Sequence, residues 1–403
     1  MHEICNPKMK PSKLFFPIVL LFFHLQLFAQ DSLITSLSKK NLSTFTKANN
    51  TFEGPGWEKI VKRLALSNDV LIGEDHFTNE IPYFTSAIAA KVRFDNFFGE
   101  IDPFTASILQ QKIKTLSADA LKDYINTYGN TFSFYSYISE LALLDQFKQS
   151  NTNFFGTDQI LLVGDRVICS ELQKTTKNPA AKKIYQTIAT NSKLYFDLFL
   201  KDQSKPFYLL SDDFSKKMDT LAKLKLSKEE EKIIDKFKLS AKIYKKQDHK
   251  LRIQLMKDQL MNVYGQWQGK RNLFKYGANH LAKGESFLEI YDIGNLVNNL
   301  NDANYKKSLH IMILGNSGTQ ASPFEGFPSE EIDPNGAMLK TLSPIIKTVD
   351  GQYWHCYDLA PLKTELNAGR LIVEDIKLQR VIKGYDLLVV IPKVTASQFA
   401  KTP

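Results

Sequence analysis

A buried strand that ends in a glycine and is followed by charged residues is the feature that most constrains this chain. Residues 70–72 are Val-Leu-Ile, and Gly73 leads into Glu-Asp-His over 74–76 before a helical pattern begins. Three β-prone apolar residues before a glycine predict a strand, a tight turn and a helix start. In open α/β sheets, reactive groups lie beyond the carboxyl ends of the strands, which is where Glu74 and His76 fall.

The same pattern recurs four more times along the chain. An apolar run meets a glycine, and polar side chains follow within three residues, at 96–102, 153–158, 273–280 and 309–317. Strands that alternate with helices predict an α/β fold with a mostly parallel sheet flanked by helices. Because parallel strands end at one edge of a sheet, we expect a single site there. Its candidate residues are Glu74, His76, Glu100, Asp158, His280 and Asn316.

The stretch from 165 to 265 contains no strand pattern of comparable quality. It is helical in pattern over 180–200 and 212–226, and Ser-Lys-Glu-Glu over 227–230 is a capping box that begins a long helix toward Tyr264. We therefore expect a large helical insertion before the later strands, either as a lid over the site or as an outlying bundle. The last strands are predicted at 353–357 and 386–391.

The first thirty residues have the order of a secretory signal peptide. Three lysines precede an apolar run from Leu14 to Ala29, which gives way to polar residues at 31–32. The run is short for a membrane span, which needs roughly 20 residues, although a retained anchor is the alternative. We expect cleavage after Ala29 or Gln30 and an exported, periplasmic or secreted protein without stable membrane insertion. Residues 31–403 would form a single α/β domain, helical over 31–66.

Charge argues against a nucleic-acid partner. The net charge is +9, and the segment 216–258 holds fourteen Lys or Arg but only seven Asp or Glu. A nucleic-acid groove would need arginines and interleaved aromatics, whereas this segment has one arginine. We interpret it as the solvated face of a helix and expect a small-molecule substrate instead.

Several familiar motifs are absent from the sequence. No GxSxG, P-loop, HExxH or CxxC motif occurs, and Ser317 has no evident base beside it. We interpret His249, His310 and His355 as structural. Cys169 and Cys356 could pair in an oxidising compartment, although the sequence cannot show their separation.

Glu74 and His76 have the spacing of a proton-transfer pair. Residues two apart in an extended segment can point into one cleft. A neutral imidazole can take a proton from water while a carboxylate on its other nitrogen fixes the tautomer. Glu100 could be that carboxylate or a second base, and His280 could stabilise an oxyanion or carry a second proton. Alternatively, Glu74 caps the following helix and His76 lies on the surface.

A further alternative uses the same residues as ligands. Two imidazoles, His76 and His280, with the carboxylates of Glu74, Glu100 and Asp158 could bind a divalent metal such as zinc, manganese or iron. The favoured interpretation requires no cofactor and assigns no metal ligand. It makes Glu74, His76, Glu100 and His280 catalytic. Substrate binding is assigned to Asp158, Glu80, Asn279 and Asn316.

Four of these motifs resemble those of the erythromycin-esterase, ChaN-like and Tiki superfamily. The first is Leu71–His76, and Gly99-Glu100 is similar to the acid that ends the second strand. Residues 156–158 resemble the third motif, and 277–280 resemble the late histidine motif. The resemblance runs in order from residue 57 to about 395, and it implies an α/β sheet with a cleft at its carboxyl edge.

The branches of this superfamily imply different functions. The esterase branch implies a histidine that activates water against a macrolide lactone, the ChaN-like branch implies haem binding, and the Tiki branch implies metal-dependent peptidases. The esterases have two residues between Glu and His and a glycine after the His, whereas here one residue intervenes and Phe77 follows. That spacing is closer to the ChaN-like branch. The expectation is an exported hydrolase of an ester, lactone or amide, or alternatively a haem- or metal-binding uptake protein.

Overall fold

The chain folds as a nine-stranded sheet with helices on both faces. A computed structural model describes residues 31–49 and 51–400, so the predicted signal peptide lies outside the described residues. The strands are β1 Leu42–Ala48, β2 Thr51–Glu53, β3 Asp69–Glu74, β4 Asn96–Gly99, β5 Asn153–Gly156, β6 Asn272–Gly277, β7 Ser308–Gly315, β8 Thr319–Gln320, β9 Glu330–Glu331, β10 Trp354–Asp358 and β11 Leu387–Ile391.

Helices make up most of the remaining chain. They are α1 over 31–40, α2 Pro55–Ala65, α3 Glu80–Lys91, α4 Pro103–Thr115, α5 Ala118–Tyr128, α6 Ile138–Gln149, α7 Asp165–Thr175, α8 Pro179–Lys201, α9 Asp212–Leu221, α10 Lys228–Lys246, α11 His249–Asn262, α12 Tyr264–Trp267, α13 Ile293–Ala303, α14 Ala337–Ile346, α15 Ala360–Asn367 and α16 Ile376–Gly384. Short 3₁₀ helices span Gly129–Ser136, Tyr208–Leu210 and Ala278–His280.

The sheet is mostly parallel, as predicted. Its strand order is β2-β1-β10-β11-β7-β3-β6-β4-β5, and the pairs from β11 to β5 are all parallel. Every strand predicted from the recurring glycine pattern belongs to this parallel part. The fold class predicted from the sequence is therefore confirmed.

The central strand β3 is buried on both faces of the sheet. Val70 and Ile72 point into one hydrophobic layer, and Leu71 points into the other. Alternate residues of a strand face opposite sides, and a parallel strand covered by helices on both sides is apolar throughout. This burial holds β3 rigidly and fixes where its end, at Glu74, must lie.

The prediction that residues 31–66 are helical was wrong over its middle part. β1 and β2 lie there and form the antiparallel edge of the sheet, with β1 paired to β10. Only Phe45 and Phe52 of these strands are buried. Short, half-exposed edge strands depend on their tertiary partners, so local pattern does not identify them.

Between β5 and β6 the chain forms helices only, from α7 to α12. The predicted capping box is confirmed, because the Ser227 side chain accepts from the Glu230 N–H and the Glu230 side chain accepts from the Ser227 N–H. The predicted single helix toward Tyr264 is instead two helices, because Gln247 adopts a left-handed conformation with φ of 50°.

Across residues 31–49 and 51–400, no helix has the length and apolar character that a membrane span requires. Cys169 and Cys356 are both buried free thiols.

Candidate functional site

The carboxyl edge of the parallel strands gathers the charged residues that the sequence singles out. Glu74 is the last residue of β3, Glu100 directly follows β4, and Asp158 lies just beyond β5. His280 ends the short 3₁₀ helix that follows β6. His76 lies in the loop between β3 and α3. Because these strands are parallel neighbours, their ends bring the five residues to one place.

His76 is held at one nitrogen and faces a carboxylate with the other. Its Nδ1 lies 3.0 Å from Oε1 of Glu74, and its Nε2 lies 3.8 Å from Oε2 of Glu100. The His76 side chain is 27% exposed, whereas that of Glu74 is 3% exposed. The imidazole also packs on the ring of Phe134, with 4.6 Å between the centroids. A buried carboxylate therefore orients an imidazole that solvent can reach.

Glu100 is a carboxylate surrounded by donors. Its Oε2 accepts from the N–H of Gly277 at 2.7 Å, and its Oε1 accepts from Nη2 of Arg252 at 2.7 Å. Burial alone would raise the pKa of Glu100, but His280, His76 and Arg252 together hold that pKa well below its usual range. Glu100 is thus ionised at neutral pH.

His280 is buried between two carboxylates. Its Nδ1 lies 2.8 Å from Oδ2 of Asp292, and its Nε2 lies 3.4 Å from Oε1 of Glu100. Burial alone would lower the pKa of His280, but the carboxylates of Glu100 and Asp292 outweigh burial and raise that pKa to about 10. His280 is therefore an imidazolium at neutral pH, with both nitrogens directed at carboxylates. Its predicted contact with an oxyanion stays a prediction.

Lys275 is a member of the site that the sequence analysis missed. It lies in β6 with its side chain 2% exposed, and its Nζ is 2.7 Å from Oε2 of Glu74 and 2.6 Å from Oε1 of Glu140. Burial would raise the pKa of Glu74, but Lys275 and His76 lower it overall. A lysine inside an otherwise apolar strand was the available signal, because a buried lysine needs partners.

The charges around His76 also set its own proton affinity. Burial lowers the pKa of the imidazole, but the hydrogen bond that its Nδ1–H donates to Glu74 and the charge of Glu100 outweigh burial, so the pKa of His76 is raised. The imidazole therefore gains its proton at a higher pH than a free histidine does.

Arg252 is the second residue that was missed. It lies in α11, and its Nε and Nη2 contact the two oxygens of Asp158 at 2.9 and 2.6 Å while Nη2 also binds Glu100. The available signal was that it is the one arginine in a lysine-rich segment, since arginine suits bidentate pairing with carboxylates. The helical insertion thus supplies a cation to the sheet edge, and the predicted substrate contact of Asp158 stays a prediction.

The other predicted substrate-binding residues have diverse surroundings. Glu80 accepts hydrogen bonds from the N–H and Oγ1 of Thr395, at 2.9 and 2.8 Å. The side-chain oxygen of Asn279 is buried and has no hydrogen-bond partner in the part of the chain that the structure describes. Asn316 directly follows β7, and its N–H donates to the carbonyl of Ile391 at 2.8 Å. Their roles in substrate binding remain predictions.

The charged groups at the site are paired with one another. Within 31–49 and 51–400, no group of three or more His, Cys, Asp or Glu side chains is arranged to hold a metal ion. The carboxylates are instead paired with Lys275, Arg252 and the two histidines.

Comparison with known proteins identifies the fold. No family model matches the chain, and no curated protein sequence matches it either. A solved structure described as a succinoglycan biosynthesis protein is similar, with 16% identity, a TM-score of 0.56, and coverage of 93% of this chain and 99% of that one. A protein from Bacillus cereus matches with 18% identity and a TM-score of 0.51 over 92% of this chain and 99% of that one.

An erythromycin esterase is among the similar structures. A mutant of the esterase EreC in its open conformation matches with 12% identity, a TM-score of 0.54, and coverage of 86% of this chain and 95% of that one. The haem-binding ChaN of Campylobacter jejuni matches with a TM-score of 0.29, which is too low to carry an argument. At these identities the similarity shows a shared fold alone, and at that level it confirms the predicted resemblance.

Proposed function

We propose that this protein, which shares its fold with an erythromycin esterase, is a hydrolase that uses His76 to activate water. The observation that carries the proposal is the position of the imidazole. Nδ1 is held by the buried Glu74 at 3.0 Å, and the His76 side chain as a whole is 27% exposed. The substrate would be a small ester, lactone or amide. The activated water attacks its carbonyl carbon, the ester or amide bond then breaks, and the His76 imidazolium returns its proton to the leaving alkoxide or amine.

The proposed mechanism assigns a role to each charged neighbour. Neutral His76 takes a proton from water at Nε2, and Glu74 stabilises the imidazolium that forms. Glu100, 3.8 Å from Nε2, orients the water. Arg252 and His280 keep Glu100 ionised. Because both nitrogens of His280 face carboxylates, the proposed effect of His280 on a developing oxyanion is through its positive charge and not through a hydrogen bond.

An aromatic wall beside His76 favours substrates with an apolar part. The rings of Phe77 and Phe134 stack with 5.3 Å between their centroids, and Phe134 also packs on His76. Both rings are partly exposed, so they can contact a bound molecule. Apolar contacts of this kind bind and orient a small substrate beside the few polar groups that react.

The test compares His76→Ala with wild type on a panel of esters, lactones and amides. We expect turnover to fall by about 10²- to 10⁴-fold, the usual contribution of a general base. His76→Asn, which keeps the size but cannot accept the proton, should be nearly as inactive. In the wild type, kcat/KM should rise with pH and level off above the pKa of His76, because the neutral ring is the active form and that pKa is raised above 6.5.

His249→Ala is the matched control, because His249 begins α11 and should leave turnover unchanged. Equal rates for wild type and His76→Ala on every cleaved substrate would refute the proposal. A Soret absorbance band that requires His76, on a protein that cleaves nothing, would favour the haem-binding alternative instead. Loss of turnover with a chelator would favour a metal-dependent reaction.

We also propose that the protein acts outside the cytoplasm on its small-molecule substrate. The support is the basic, apolar and polar order of the first thirty residues. Amino-terminal sequencing of the exported protein should begin near Gln30 or Asp31. A sequence that begins at Met1 would contradict this location.

A further inference from the structure

A row of buried charges leads from the protein interior to His76. Glu140 contacts Lys275 at 2.6 Å, Lys275 contacts Glu74 at 2.7 Å, and Glu74 contacts His76 at 3.0 Å. The side chains of Glu140, Lys275 and Glu74 are at most 7% exposed. We call these three residues the charge row.

Stability alone is a poor explanation for the charge row. Buried ion pairs cost much of their attraction in lost hydration, and apolar residues of similar volume often replace them without loss. Moreover, Oε2 of Glu140 is buried and has no hydrogen-bond partner among the residues that the structure describes. Burial raises the pKa of Glu140 to about 7, although Lys275 opposes that rise. An unsatisfied buried carboxyl oxygen needs an explanation beyond folding.

The signs of the charges suggest that explanation. His76 faces two carboxylates, Glu74 and Glu100, and both favour its protonated form. A general base that holds its proton too tightly is inactive at neutral pH. Lys275 shares the charge of Glu74 and so opposes protonation of His76, whereas Glu140 partly neutralises Lys275.

The remaining groups around the row are the carboxyl of Asp75, whose pKa burial raises and which interacts with His76 and Glu74, and several aromatic side chains. The phenol of Tyr135 and that of Tyr137 face Glu140, and burial keeps both phenols neutral by raising their pKa values. The ring of Phe134 lies 5.9 Å from Nζ of Lys275. The charges that reach His76 are therefore those of the row, of Asp75, and of Glu100 with its partners.

We propose that Lys275 and Glu140 are positioning residues that act on His76 through Glu74. Lys275 holds the Glu74 carboxylate toward Nδ1 and lowers the proton affinity of His76, and Glu140 limits that effect. The inference rests on the proposed function of His76 as a base. It assigns Lys275 and Glu140 no contact with the substrate.

The test measures the pKa of His76 directly by NMR on histidine-labelled protein. The resonance of His76 is identified among the seven histidines by its loss in His76→Ala. In Lys275→Met, the pKa of His76 should rise by about one unit, because a nearby positive charge is gone. In Glu140→Gln it should fall, because the negative charge that Glu140 carries above its pKa of about 7 is gone, while the amide oxygen can still accept a hydrogen bond from Lys275. The rising limb of kcat/KM should move in the same directions.

Lys283→Met is the control, because Lys283 pairs with Asp386 away from the row and should leave the pKa of His76 unchanged. A merely structural role would lower activity without opposite shifts in the two variants. Shifts that are absent, or that have the same sign, would overturn the inference. If Lys275→Met does not fold, the nearly isosteric Glu140→Gln decides, and a pKa of His76 that stays or rises overturns the inference.

The two proposals can fail separately. Opposite pKa shifts combined with equal turnover by wild type and His76→Ala would refute the hydrolase while leaving electrostatic control of His76 intact. If His76→Ala abolishes turnover but neither Lys275→Met nor Glu140→Gln changes the pKa of His76, the hydrolase proposal stands and the role of the charge row is refuted.

Discussion

The side chains at the carboxyl ends of the parallel strands differ in kind from those at the amino ends. At the carboxyl edge the strands end in charged groups. At the amino edge, β3, β6, β4 and β5 each begin with an aspartate or asparagine, and these residues lie side by side in register. They are Asp69, Asn272, Asn96 and Asn153, which we call the amide ladder.

Side-chain hydrogen bonds join the members of the amide ladder one to the next. Asn153 donates to Asn96 at 3.1 Å, Asn96 donates to Asn272 at 2.8 Å, and Asn272 donates to Asp69 at 2.7 Å. Asn301 donates to the second oxygen of Asp69 at 2.6 Å. A slip of one residue in any strand would break these bonds, so the ladder fixes register.

The two edges differ in whether their polar groups can change protonation state. The ladder is built largely of neutral amides that already bond to one another. The carboxyl edge instead concentrates ions whose protonation depends on their neighbours. Charge in a low-dielectric setting costs stability, and perturbed pKa values cluster at functional sites.

Glu100→Gln should have the largest effect on stability. It removes the carboxylate partner of His280, Arg252 and His76, and breaking a buried ion pair costs about 3–5 kcal/mol. The pKa of folded His280 is about 10, above its unfolded value of 6.5, so the stabilisation is complete below 6.5 and is lost toward 10. The cost of the substitution, measured by denaturant unfolding, should therefore shrink over that range. If the stability loss is the same at every pH, the ion pair between Glu100 and His280 does not contribute to it.

Asn272→Ala should lower the free energy of unfolding by somewhat less than Glu100→Gln does, and this loss should not depend on pH. It breaks the ladder at its middle and leaves buried groups of Asp69 and Asn96 unpaired, for a loss of about 2–4 kcal/mol. Amides do not titrate, so the loss should be equal at about pH 7 and about pH 9. Activity per folded molecule should match wild type. A changed pH profile of kcat/KM would show that the two edges communicate and would break the comparison.

Ser227→Ala should give the smallest loss of stability of the three variants. It serves as a reference for the losses expected at the two edges of the sheet. Ser227 caps α10 at the surface of the helical insertion, and a lost cap costs about 1 kcal/mol. Thermal unfolding checks this value, and neither turnover nor its pH dependence should change. Unchanged stability would mean that the cap contributes nothing despite its geometry.

The parallel core of the fold could be predicted from the sequence because its signal is local. Each strand is an apolar run with a glycine at its end, and parallel pairing then brings Glu74, His76, Glu100 and His280 to one edge without further information. The last two strands were also placed correctly to within one residue, at Trp354–Asp358 and Leu387–Ile391.

The parts that escaped prediction depend on distant partners. β1 is a strand because β10 pairs with it, and β10 lies about three hundred positions along the chain. Arg252 resembled its lysine neighbours, and Asp292 lay in no motif, yet each contacts a predicted residue across the fold. The sequence also did not reveal that the pKa of His76 is raised, because that shift depends on charges from three separate segments.

The strand order has a consequence for when the site can form during folding. β6 lies between β3 and β4, and its first residue, Asn272, bonds to Asp69 across 203 positions of sequence. A nascent chain therefore contains His76 and Glu100 long before the strand that separates and aligns them has been made. Contacts between such distant segments are slow to form, since closing a long loop costs entropy. We therefore expect the assembly of His76 opposite Glu100 to be a late folding event, so that an incomplete chain would carry both residues without their final geometry.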